Sequence, residues 1–112
     1  MKPKTAKTLT KLVSLRRQQA EQDFALARQM VSAAEAELAR LEEQLRSPAA
    51  APEDFASIAL AEQNGHTGRL LKQIETQKQA IVVKQAALAE RREALKKAFG
   101  SERRLGEIVR QK

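Results

Sequence analysis

The chain has 112 residues, 31% of them charged and only 3% aromatic, with no cysteine and a formal net charge of +7. Ala, Leu, Glu, Lys, Arg and Gln dominate, a composition of long helices and coiled coils, not of a rounded core. The absence of cysteine excludes disulfides and thiolate metal sites, and no apolar run approaches the roughly 18 residues of a membrane span.

The first predicted element is a helix over about 5–46. Pro3 is tolerated only at or before a first helical turn, Thr5 or Thr8 can cap free amides, and Ser47 with Pro48 stops the run. Residues 1–18 carry six bases and no acid, as an organellar targeting segment would, but Ala6, Thr10 and Val13 continue the helical register, so they read as the first turns of the same helix.

Alternating steps of four and three from Val13 pick out Arg17, Ala20, Phe24, Ala27, Val31, Ala34, Leu38, Leu41 and Leu45; Arg17 is the one exception to an apolar stripe. A sustained 3.5-residue repeat holds one narrow face against a partner helix, so the stripe is a coiled-coil seam. Ala20, Ala27 and Ala34 lie along one edge of it and require bulk opposite.

Residues 47–66 are predicted to hold a break and a short helix. Pro52, Glu53 and Asp54 resemble a first turn, and Asn64 with Gly65 resembles a stop. A second long helix is predicted over about 67–110, with Ile74, Ile81, Leu88 and Leu95 seven apart.

Two helices of similar length around a break predict one domain over 1–112: an all-α, two-helix antiparallel coiled-coil hairpin with a short helical turn region at the tip, the alternative being a pair of continuous helices from two chains. If paired residue numbers add to about 115, Ala20, Ala27 and Ala34 face Leu95, Leu88 and Ile81. Leu41 then meets Ile74, Leu45 meets Leu70, and Arg91, Lys84 and Gln77 lay their stems over Phe24, Val31 and Leu38.

Charge divides along the chain: residues 19–65 have three bases and nine acids, and residues 66–112 have twelve bases and five acids. In the hairpin the end with both termini is therefore strongly basic, through Lys11, Arg16, Arg17, Arg91, Arg92, Lys96, Lys97, Arg103 and Arg104. Such an end implies an acidic partner or nucleic acid, whereas for any single residue solvation of a coiled coil is the plainer account. His66 is the single histidine and reads as a turn or contact residue; no nucleophile with an orienting base, phosphate loop or metal-ligand cluster is present. No enzyme activity and no cofactor are expected.

The basic start leading through LVSLRRQQAEQDFALARQMVSAAEAELARLEEQL, the break containing Phe55 and Leu60, the restart at LLKQIETQKQ and the basic ending RREALKKAF resemble the FliJ proteins of flagellar export and their counterparts in injectisome type III secretion. The resemblance implies a central stalk whose terminal end inserts into a hexameric export ATPase, with other faces contacting a membrane export-gate protein and substrate chaperones. It implies a cytoplasmic protein, peripheral at the inner-membrane export apparatus. FliJ proteins also present a stripe of phenylalanine, leucine, alanine and histidine to the export gate; Phe55 and His66 match its outer positions, while Ala59 and Glu62 depart from its inner ones. Two other functions stay open on the residues: a nucleic-acid or ribosome-binding hairpin, with neither tyrosine nor tryptophan to stack on bases, and a purely structural coiled coil.

Overall fold

The computed structural model describes the backbone of residues 2–46 and 56–111, and the side chains of 2–46 and 62–111. It is all-α, an antiparallel hairpin of two long helices: α1, Pro3–Arg46, and α2, Ala56–Arg110. Pro3 opens α1 where its missing amide costs no hydrogen bond, and the Ala6 amide donates to the Lys2 carbonyl at 2.9 Å. The predicted tip, including Pro52, Glu53, Asp54 and Phe55, lies outside the described residues.

One boundary differs from expectation. Asn64 and Gly65 do not end a short helix; α2 runs through them and through Gly68 without interruption. No glycine has positive φ among the described residues, so neither adopts the left-handed turn that terminates helices. A glycine inside a helix costs only about 1 kcal/mol against alanine, a cost that the rest of a 55-residue helix absorbs.

The chain divides into two compact units. The central unit, Val31–Lys84, contains all six buried residues among those described: Val31, Ala34, Leu41, Leu70, Ile74 and Ile81. Leu41, Leu70 and Ile74 form one cluster, with Leu38 and Leu45 packed against it. The cluster brings together Leu41, Leu45, Leu70 and Ile74, the four residues that the expected register sets against one another. Gln77, expected to lie over Leu38, donates from Nε2 to the Ala34 carbonyl oxygen at 2.9 Å.

The terminal unit, Met1–Met30 with Gln85–Lys112, has no buried residue among those described. Its seam is half-open and partly polar. Arg17, the exception in the α1 stripe, sends Nε to Glu102 at 3.0 Å and Nη1 to Glu21 at 2.7 Å. Glu102 stands seven residues after Leu95, at the next seam position of α2. The two polar interruptions of the seams therefore meet each other. A polar pair in a seam fixes register at some cost in stability, because a slip by a heptad would separate Arg17 from Glu102.

Candidate binding surface at the terminal unit

The nine basic residues singled out from the sequence all belong to the terminal unit. This unit carries fifteen bases against six acids, or +9, while the central unit carries six against eight, or −2. The surface is built from the outward faces of two antiparallel helix segments, whose inward faces make the seam.

The nine are not equivalent. Arg17 is taken up inside the hairpin: its side chain is only 21% exposed, and its guanidinium lies 5.8 Å from the Phe99 ring centre. Hydrogen bonds to Glu102 and then Glu21 raise its pKa further, so its charge is permanent and already partnered. Arg92 lies 5.8 Å from the Phe24 ring centre, and Arg28 approaches the same ring at 5.9 Å. Phe24 is thus flanked by the guanidinium groups of Arg92 and Arg28. Lys96 Nζ is 3.4 Å from Glu93 Oε1, and Arg104 Nη2 is 3.5 Å from Ser101 Oγ.

Lys11, Arg16, Arg91, Lys97 and Arg103 are exposed and make no ion pair among the described residues. Their charges are available to a partner. Sequence reasoning identified the basic surface but missed that Arg17 and Arg92 serve the hairpin itself. Heptad counting could have shown the first, since Glu102 falls on the α2 seam.

A shallow groove of about 580 Å³ runs along α2 in this unit, lined by Lys96, Phe99, Gly100, Arg103, Gly106 and others. Phe99 is 48% exposed there, an apolar contact point among cations. The glycines are not sterically required, since a Cβ on Gly106 would meet only the Arg110 guanidinium, at an ordinary 3.5 Å.

Of the two residues carried over for an export-gate contact, Phe55 lies outside the described residues. His66 is exposed on α2, one turn after the equally exposed Glu62. Because α2 continues through Gly65, the two share a helical face. Among the described residues no group of three or more His, Cys, Asp or Glu side chains could hold a metal ion. No helix among them is long and apolar enough to cross a membrane.

Comparison with protein families, curated proteins and solved structures finds no match to this chain.

Proposed function

We propose that this chain is a non-enzymatic central-stalk and adaptor protein of a flagellar or injectisome type III export apparatus, acting through its terminal unit on a hexameric export ATPase. The observation that carries the reading is the division of charge within one hairpin, +9 in the unit holding both chain ends and −2 in the other. A helical hairpin segment with a strong excess of cations suits a ring pore lined by carboxylates and carbonyl oxygens, where a confined, partly dry space strengthens each charge interaction. Lys11, Arg16, Arg91, Lys97 and Arg103 are the primary contacts in this proposal, with Lys96 and Arg104 joining from their weaker internal partners. His66, and Phe55 with it, would face the export-gate protein, and substrate chaperones would use other surfaces. The protein would work in the cytoplasm, peripheral to the inner membrane through these partners.

The test is stimulation of the cognate export ATPase. Arg103→Glu combined with Arg104→Glu should abolish stimulation while helix content stays unchanged, because both side chains are exposed. A parent protein that stimulates no export ATPase, yet binds RNA with affinity falling about 0.7 log unit per tenfold salt for each phosphate neutralised, would replace this reading with the nucleic-acid one.

A further inference from the structure

Helix α1 carries a second face near its start, distinct from the seam. Thr5, Thr8, Leu12 and Leu15 follow one another at steps of three, four and three, and all are exposed. Leu12 and Leu15 leave 43% and 54% of their surface open, more than a soluble helix gains from. The Thr8 hydroxyl donates to the Lys4 carbonyl oxygen at 2.9 Å, so it is satisfied within the helix. A polar group already bonded in this way costs little to bring to an apolar boundary.

Bases edge this stripe on both sides. Lys4, Lys7 and Lys11 lie along one edge and Arg16 along the other; all four are exposed and make no ion pair among the described residues. The first acid of the chain is Glu21. The helix N-terminus adds its own positive end to the same region.

We propose that this face of α1 rests on the surface of an anionic phospholipid bilayer, with Leu12 and Leu15 dipping below the headgroups and the flanking bases held at the phosphate level. Both halves of the chemistry are needed to choose this partner. A nucleic acid would use the bases and gain nothing from the leucines, whereas a neutral bilayer would use the leucines and gain nothing from the bases. A basic amphipathic helix with a short apolar stripe satisfies both, and lies in the interface without crossing it. Two leucines insert little area, so binding is reversible and falls with salt. The inference does not rest on the export reading, since it needs no ATPase, although Lys11 and Arg16 serve in both.

Vesicle flotation of the full chain tests it, comparing phosphatidylcholine vesicles with vesicles that also contain phosphatidylglycerol. The protein should float with the mixed vesicles and not with phosphatidylcholine alone. Each base near an anionic surface multiplies partitioning about fivefold, so Lys7→Gln with Lys11→Gln should lower it about thirtyfold. Leu12→Ser with Leu15→Ser should lower it about tenfold, with circular dichroism showing the helices intact. The chain contains no tryptophan, so Leu15→Trp supplies a single reporter whose emission should shift to the blue on mixed vesicles only. Failure to float, equal binding to phosphatidylcholine, an unshifted tryptophan, or serine substitutions that leave binding unchanged would each overturn the proposal; the last would mark a surface that recognises any polyanion, nucleic acid and acidic protein included.

Discussion

The two units of the hairpin solve the same pairing problem with different chemistry. In the central unit the seam is dry, with Leu41, Leu70 and Ile74 between 3% and 7% exposed and Ala34 and Ile81 buried as well. In the terminal unit the same heptad phase continues, but Arg17 with Glu102, and Phe24 beneath Arg28 and Arg92, take the place of apolar contacts. In the central unit Leu41, Leu45, Leu70 and Ile74 share one cluster, while in the terminal unit the contacts across the helices include Arg17 with Glu102 and Phe99, and Phe24 with Arg92. The difference shows where the sequence invests in holding the hairpin and where it leaves side chains for a partner. Partly solvated ion pairs contribute little net stability, so the terminal unit gives up strength and keeps charge.

The largest expected effect separates the units directly. Ile74→Ala removes a side chain 7% exposed and should destabilise the protein by about 3 kcal/mol. Leu88→Ala, at an equivalent but half-buried seam position of the terminal unit, should cost about 1.5 kcal/mol, below the usual range for buried sites because the cavity opens to water. Urea denaturation of the two variants checks the order, and equal losses would erase the distinction.

A smaller effect of opposite sign is expected at Gly68, where an added Cβ would meet nothing within 4 Å and the helix is continuous. Gly68→Ala should therefore stabilise the central unit by up to about 1 kcal/mol. A loss of stability there would mean that residues 64–68 need a turn after all.

The smallest effect concerns pH. Arg40 hydrogen-bonds Glu37 on the exposed face of α1, at 2.9 Å from Nε, and holds the Glu37 carboxyl below its ordinary range. A carboxyl with a depressed folded pKa adds stability that is fully present above its unfolded pKa and is lost as pH falls through the folded value. Glu37→Gln should thus flatten the acid limb of the stability profile slightly, without changing stability near the bottom of that limb. Thermal melts of parent and variant across the acid range read this difference.

Much of the hairpin was legible because its physics is periodic. Ala20, Ala27 and Ala34 repeat on one edge of α1, Ile81, Leu88 and Leu95 repeat on α2, and only one heptad-compatible register joins small to large while bringing the chain ends together. What escaped was what periodicity does not encode. Asn64 and Gly65 read as a stop because their local preference is for turns, yet a cost near 1 kcal/mol per glycine is too small to end a helix of 55 residues. Arg17 read as a partner contact because it is basic and belongs to a basic segment, although its carboxylate partner Glu102 lies 85 residues away in sequence. The contact of Arg92 with Phe24 escaped for the same reason, since it depends on side-chain reach and not on charge pattern.

The contrast between a dry, clamping unit and an open, charged one is tested most directly by residue-resolved amide hydrogen exchange on the intact chain. Amides near Ala34, Leu41, Leu70, Ile74 and Ile81 should be the slowest to exchange, those of Met1–Met30 and Gln85–Lys112 distinctly faster, with continuous helical protection through Gly65 and Gly68. Uniform protection of both units, or fast exchange at residues 64–68 that splits α2, would contradict the account.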